Sequence, residues 1–421
     1  MRASRRLVAP LLLIVCSIAL SGCWDRVEID QRGFVVGVGI DEVSKKESAS
    51  GEAAGGSDRK SEQAQSASVN TQNNKRPKYR ATYQIVTPGG MKATTNGQTA
   101  AAYFHMTVEG TTLSTMEANL AQRMSRAPFF EHLKLLVISE SVARRPGELA
   151  ETIDFFLRDN QMRRSTRVMV TPDKAADILD TQTPGERLPS AYLELVSNNV
   201  MNSSRILPQT RIGDVQEYLL KNKSFGLQMV SNGNRAYSTI GGTAVFSARS
   251  NRLVGFLDGR ETAGLNFLRN TIKGGHIEFP YGDEGGHGVF IVQRMTRRIR
   301  VTFDKGGLPT FNIHIEVQGA LNEAARIPDT LSQDTLTRMG QDAGKAIQQL
   351  TEGAIDKLQK QYRSDVIDLD EYLARKHPRW WNKHRANWEQ GDNLFSQAPI
   401  RVRVAAYVHR TGNINLTEEE K

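Results

Sequence analysis

The stretch Leu133-Lys134-Leu135-Leu136-Val137-Ile138-Ser139 is the strongest β-strand pattern in this sequence, and it decides the fold class. Apolar residues at helical spacing precede it over residues 112–126, and a second helical pattern follows over residues 149–157. A further strand pattern comes at residues 167–170, followed by a short helical one. This alternation of strands and helices predicts a mixed sheet with helices packed on it.

A strand pair is predicted closer to the amino terminus. Residues 33–41 (Gly-Phe-Val-Val-Gly-Val-Gly-Ile-Asp) form a buried-strand pattern, and the apolar–polar alternation of residues 79–86 predicts its hairpin partner. Between them, residues 42–78 are rich in Ser, Gly, Ala, Gln, Asn and Lys, and such a segment cannot bury enough apolar surface to offset its ordering entropy. We expect a disordered insertion here, with a wall-binding tail as the alternative.

Two further units follow along the chain. The elements expected in them are helices at 213–221, 261–269 and 336–362, and strands at 242–247, 252–257, 298–303, 311–317 and 400–408. The strands at 298–303 and 311–317 alternate cleanly and flank a turn-rich segment, so they are expected to form a hairpin. The last strand is expected to return to the sheet of this hairpin.

The sequence therefore predicts an α+β protein of three domains, each a mixed β-sheet packed with helices. Its 421 residues exceed what one hydrophobic core usually serves. The expected parts are a lipoprotein signal peptide at 1–22, an N-terminal α/β domain at 23–205, a small middle α+β domain at 206–275, and a C-terminal α+β domain at 276–421 with the long amphipathic helix.

The amino-terminal segment has the pattern of an export signal. Three arginines among the first six residues precede an apolar run at residues 7–20, which is too short to span a bilayer comfortably. Leu20-Ser21-Gly22-Cys23 then looks like a bacterial lipobox, in which the cysteine thiol receives a diacylglyceryl group and the new amino terminus is acylated. Two acyl chains anchor a protein stably, whereas one gives marginal binding. We predict lipid attachment at Cys23, in preference to a plain signal peptide with an incidental cysteine.

Composition indicates a globular body held to a membrane by lipid alone. Hydrophobic residues make up 39% and charged residues 24% of the chain, and no long apolar run follows the signal. The formal net charge of +9 falls to +6 without the signal, a balance that favours anionic headgroups or wall polymers over nucleic acid. Cys16 lies in the predicted signal, so the mature body is left without a disulfide or a cysteine metal ligand.

The sequence carries no motif for catalysis or cofactor binding. It has no nucleophile elbow, zinc-protease helix or phosphate-binding loop, and Gly37-Val38-Gly39 lacks the third glycine of a dinucleotide fingerprint, so close backbone packing explains it better. His276 and His287 lie in glycine-rich loops, but without ligand spacing or cysteine partners we expect no metal site. The expected protein is not an enzyme and has no cofactor.

One local composition stands out near the carboxyl terminus, where residues 375–388 hold three of the four tryptophans among several basic residues. On a helix beginning near Pro378, the side chains of Trp381, Arg385 and Trp388 would share one face. Arg379, Lys383 and Arg385 are candidates for an interface with lipid headgroups or a partner protein. The alternative, which we favour, is that the tryptophans pack in the core while the basic residues stay solvated.

Several segments resemble the Ger(x)C family, the lipoprotein C subunits of spore nutrient germinant receptors. The matching segments are Gly22-Cys-Trp-Asp-Arg-Val-Glu-Ile29, Gly33 to Asp41, Glu109-Gly110, Phe130 to Glu140, Phe155-Phe-Leu-Arg-Asp159, Gly241-Gly-Thr-Ala-Val-Phe246, His377-Pro-Arg-Trp-Trp381, Trp388 and Tyr407-Val-His-Arg-Thr-Gly412. They span nearly the whole mature chain in the family's order. The insertion at 42–78 departs from the family's short loop.

This resemblance implies a three-domain, non-enzymatic lipoprotein on the outer face of the spore inner membrane. There it would act with two integral-membrane partners, the A and B subunits of the receptor, to trigger germination in response to small nutrients. Cys23 is the one functional residue that the resemblance supplies. The alternative is the solute-binding lipoprotein of a transporter, which would have two α/β lobes around a polar cleft.

Overall fold

The computed structural model describes residues 31–43, 79–87, 101–232, 237–282, 285–325 and 332–409. The strands are β1 (Arg32–Glu42), β2 (Tyr79–Val86), β3 (Tyr103–Gly110), β4 (Ala127–Phe129), β5 (Leu135–Ser139), β6 (Arg167–Thr171), β7 (Phe225–Ser231), β8 (Thr239–Ser247), β9 (Arg252–Leu257), β10 (His276–Tyr281), β11 (Gly286–Phe303), β12 (Pro309–Ala325) and β13 (Ile400–His409). The helices are α1 (Leu113–Arg123), α2 (Glu140–Ala143), α3 (Glu148–Arg158), α4 (Ala175–Leu179), α5 (Pro189–Val196), α6 (Ile212–Leu220), α7 (Gly259–Arg269), α8 (Gln333–Asp356), α9 (Leu369–Lys376), α10 (Pro378–His384) and α11 (Leu394–Gln397). These elements form two mixed sheets with helices on them, which confirms the predicted α+β class.

The first sheet has nine strands, in the order β3-β2-β1-β5-β6-β7-β8-β9, with β4 also paired to β1. Its centre is parallel, from β1 through β5 and β6 to β7, and its two sides are antiparallel. Every residue of β5 is buried, because helices cover both faces of the sheet. Leu136 and Ile138 belong to the core with α1 and α3, while Leu135 and Val137 belong to the core with α4 and α5.

The predicted hairpin of β1 and β2 is confirmed, with Val38 opposite Tyr83 and Ile40 opposite Ala81. The expected insertion falls almost entirely outside the described residues. A Cβ on Gly39 would lie 3.0 Å from the backbone of Ala175, so this glycine allows α4 to pack directly on the strand. Close backbone packing, and not a nucleotide-binding turn, is therefore the role of this glycine.

The predicted middle unit at 206–275 has no sheet of its own. Its strands β7, β8 and β9 continue the first sheet, because β7 pairs in parallel with β6 through Met169–Gln228 and Val170–Met229. The expected helices and strands of this unit are present as α6, β8, β9 and α7. The predicted domain boundary between residues 205 and 206 therefore does not divide the sheet.

The second sheet has four strands in the order β10-β11-β12-β13. The predicted hairpin is confirmed as β11 and β12, which are longer than expected, and β13 returns beside β12 in parallel. The apolar stripe of α8 packs on one face of this sheet, as its spacing predicts. The first sheet with its helices and the second sheet with α8 are the two halves of the molecule. They meet where α7, which packs on β8 and β9, crosses α8. A Cβ on Gly264 would lie 2.0 Å from the carbonyl oxygen of Leu350, so the two helices are in close contact there.

Candidate functional site at the carboxyl-terminal helices

The predicted lipid attachment residue, Cys23, lies outside the described residues. Within the described ranges, no helix is both long and apolar enough to cross a membrane. In the same ranges, no group of three or more His, Cys, Asp or Glu side chains is arranged to hold a metal ion. The candidate site that the structure does describe is the tryptophan-rich segment with its basic residues.

Trp388 is the buried centre of this segment. Its side chain is 2% exposed and packs edge to face against Phe311 and Phe395, with ring centroids 6.1 and 5.8 Å away. The indole N–H donates a 2.9 Å hydrogen bond to Asp365 Oδ2, so its one polar atom is satisfied. The other two tryptophans of the segment pack partly buried against the same core. Core packing is thus confirmed as the role of these rings.

The three candidate interface cations, Arg379, Lys383 and Arg385, are all exposed. The helix that carries the first two, α10, is fixed to the β11–β12 turn, because Trp380 Nε1 donates a 2.7 Å hydrogen bond to the carbonyl oxygen of Gly307. The ring of Trp380 also lies 5.5 Å from that of Phe303. The cations are therefore exposed to solvent on and just after a helix that is held against this turn.

The predicted common face of Trp381, Arg385 and Trp388 is wrong for Arg385, whereas the rings of Trp381 and Trp388 pack together with centroids 6.1 Å apart. Helix α10 ends at His384, and a 3₁₀ turn at Arg385–Asn387 follows it. This change of geometry turns Trp388 into the core while Arg385 remains at the surface. The tryptophans are accordingly buried or partly buried, and the three cations are exposed.

A buried carboxylate, Asp365, organises the loop beneath this segment. It accepts hydrogen bonds from the backbone N–H groups of Ile367, Leu369 and Asp370 at 3.1, 3.3 and 2.8 Å, in addition to the indole of Trp388. Four donors thus satisfy the carboxylate of a residue that is 1% exposed. They fix the turn that leads into α9.

A cationic pair from the first half of the molecule meets this loop. Lys223, 6% exposed in its side chain, places Nζ 2.6 Å from Asp368 Oδ1, 2.7 Å from Glu371 Oε1 and 3.7 Å from Asp370 Oδ1. Arg269, at the end of α7, donates from Nε to Asp368 Oδ2 at 2.9 Å. Burial alone would raise the pKa of Asp368, but these two cations outweigh it and lower that pKa. The network ties the two halves together.

Two other acids in the network hold protons near neutral pH. Burial, reinforced by the charge of Asp365, raises the pKa of Asp370 to about 7. Burial and the same charge raise the pKa of Glu389 to about 8, and Glu389 also accepts a hydrogen bond from the backbone N–H of Asp365. This cluster was not found by sequence reasoning, because its members come from distant parts of the chain and follow no common spacing.

Comparison with known protein families covers most of the chain, in two regions. Residues 25–231 match the family described as "Spore germination protein N-terminal domain", and residues 241–412 match "Spore germination B3/ GerAC like, C-terminal". The chain belongs to the Ger(x)C family of spore germination proteins. The resemblance stated from the sequence is thereby confirmed. The two family regions meet between β7 and β8, within the first sheet.

Individual relatives of this Ger(x)C protein extend over nearly its full length. Spore germination protein B3 of Bacillus subtilis strain 168 is 25% identical over 402 residues, covering 94% of this chain and 96% of the relative. Spore germination protein YndF of the same strain is 27% identical over 424 residues, covering 98% and 99%. The crystal structure of the GerBC protein superposes with a TM-score of 0.56 at 23% identity, over 79% of this chain and 94% of that one, and so shares the fold.

Proposed function

We propose that this Ger(x)C protein is a lipid-anchored, non-enzymatic subunit of a spore nutrient germinant receptor. It would act with the integral-membrane A and B subunits on the outer face of the spore inner membrane to trigger germination. The strongest support is the match of both halves of the chain to spore germination families. Full-length similarity to spore germination proteins B3 and A3 adds to it.

The solute-binding lipoprotein of a transporter is a weaker candidate. Such a protein would have two α/β lobes that face each other across a polar cleft. Here the first sheet runs without interruption from β3 to β9, and the second sheet is a smaller unit of four strands. This arrangement and the spore germination relatives favour the receptor subunit.

Replacing Cys23 by alanine should abolish acylation, release the protein from the membrane fraction and strongly reduce nutrient-triggered germination, because anchoring would lose its acyl chains. Mass spectrometry of the amino-terminal peptide, membrane fractionation and germination rates of spores measure these effects. Cys16→Ala is the matched control, since that residue lies in the predicted signal and its loss should change nothing. The anchor is contradicted if the wild-type chain carries no lipid and the Cys23→Ala variant stays in the membrane fraction.

Reversing the three exposed cations with Arg379→Glu, Lys383→Glu and Arg385→Glu should weaken receptor assembly about tenfold or more while the fold stays intact. All three side chains are exposed, so the change leaves the core intact and would act on the proposed interface. Co-purification of the membrane complex from spores measures it. The control reverses three exposed arginines elsewhere, Arg126, Arg252 and Arg260. Normal assembly and normal nutrient response of the first variant remove this segment as an interface.

A further inference from the structure

The second sheet has one buried face and one exposed face. Ile299, Ile313 and Ile315 belong to the core under α8, and the residues that alternate with them on β11 and β12 point to the opposite side. That side carries five exposed arginines, which we call the arginine face: Arg294, Arg298 and Arg300 on β11, and Arg401 and Arg403 on β13. These five side chains are exposed among the described residues, whereas α8 covers the buried face.

The strand register brings these arginines into rows. Two rows cross the sheet from β11 to β13: Arg300-Asn312-Arg401 and Arg298-His314-Arg403. Between Asn312 and Gln318, β12 supplies one carboxylate, Glu316, which lies 3.8 Å from Arg298 Nη1 and 3.4 Å from His314 Nε2. Five arginines thus face one acid, and the surface keeps a strong positive charge.

The arginine face extends both across the strands and along them. Its two outer strands are separated by two strand spacings, about 10 Å, and residues 294 to 300 span about 20 Å along β11. One extended acidic peptide would cover a single row of such a surface, whereas a layer of anionic headgroups would meet all five guanidinium groups at once. Guanidinium binds phosphate through paired hydrogen bonds. Tyr407, 50% exposed at the same face, has the amphipathic ring that suits a membrane interface.

We propose that the arginine face docks on the surface of an anionic phospholipid bilayer. The contact would orient the second sheet flat against the headgroups, with α8 on the far side. It requires no acyl group at Cys23, so it is independent of the proposed lipid anchor and goes beyond it.

The test is flotation of the chain from residue 23 to 421, made without the signal and therefore without lipid, a chain that contains every described residue. Vesicles are phosphatidylcholine alone or phosphatidylcholine with phosphatidylglycerol. Each arginine near an anionic bilayer contributes about fivefold to binding, so Arg298→Gln, Arg300→Gln, Arg401→Gln and Arg403→Gln together should reduce binding by more than about a hundredfold. The control changes four exposed arginines elsewhere to glutamine: Arg126, Arg252, Arg260 and Arg338.

Support requires binding to the anionic vesicles only, weakening with added salt, loss in the arginine-face variant and near wild-type binding in the control. Equal loss in the control would show an effect of net charge alone and overturn the proposal. Binding that is absent, or equal on neutral vesicles, would also overturn it. Binding of a poly-glutamate peptide in place of vesicles would assign the face to an acidic polypeptide instead. Circular dichroism melting confirms that each variant is folded.

Discussion

Replacing Lys223 by methionine should lower the free energy of unfolding by about 3–5 kcal/mol. The side chain is 6% exposed, and its ammonium is shared by Asp368 and Glu371 at 2.6 and 2.7 Å. Methionine is apolar and nearly as long, but it removes a positive charge from beside Asp368 and Asp370, whose side chains are only 23% and 19% exposed. Breaking a buried ion pair by removing one partner is costly for this reason, although forming the pair contributes little.

Urea unfolding followed by circular dichroism measures this change. The matched control is Lys221→Met, two residues away, where the lysine pairs with Glu217 in an exposed i,i+4 arrangement. That replacement should leave the unfolding midpoint almost unchanged, because exposed pairs contribute little. An unaltered midpoint for Lys223→Met, or equal effects of both replacements, would show that the network does not hold the two halves together.

Local periodicity was enough to predict most elements of this fold. The apolar run of β5, the alternation of β2 and the stripe of α8 each reflect burial of one element, and that burial is visible within ten to twenty residues of sequence. The return of β13 to the hairpin's sheet was also predicted, since its alternation matches a strand with one buried face.

The continuity of the first sheet could not be predicted from local periodicity. The first sheet passes from β6 to β7 through two residue pairs that lie about 60 positions apart in the chain, Met169–Gln228 and Val170–Met229. Nothing in the local pattern of either strand specifies its neighbour, so the middle unit looked separate. The family regions likewise meet within this sheet, between β7 and β8.

The candidate sites show the same limit. Arg379, Lys383 and Arg385 were correctly expected at the surface, because long cations next to tryptophans stay solvated when the rings are buried. The buried network was missed, since Lys223 and Asp368 are 145 positions apart and neither belongs to a motif. The alternation of arginines along β13 was visible in the sequence, but its rows with β11 appear only once the register is known.

The folded protein should become less stable as pH rises from 6 to 9. The pKa of Asp370 is about 7 and that of Glu389 about 8 in the folded state, whereas both would ionise near pH 4 in the unfolded chain. Between pH 4 and these values the folded state binds more protons than the unfolded state, so raising the pH favours unfolding. The two groups together correspond to a loss on the order of a few kcal/mol over this range.

Urea unfolding at pH 6, 7, 8 and 9 measures the slope, and Asp370→Asn with Glu389→Gln should reduce it, because neither replacement ionises. Burial also raises the pKa of Asp365, so this third carboxyl should retain part of the slope. The lowered pKa of Asp368 acts in the opposite sense, but only as the pH falls towards 4 and below, so it leaves this window untouched. In Lys223→Met the slope should steepen, since that lysine favours the ionised form of Asp370. A wild-type stability that is flat or rises from pH 6 to 9 would mean that both acids ionise within the folded network.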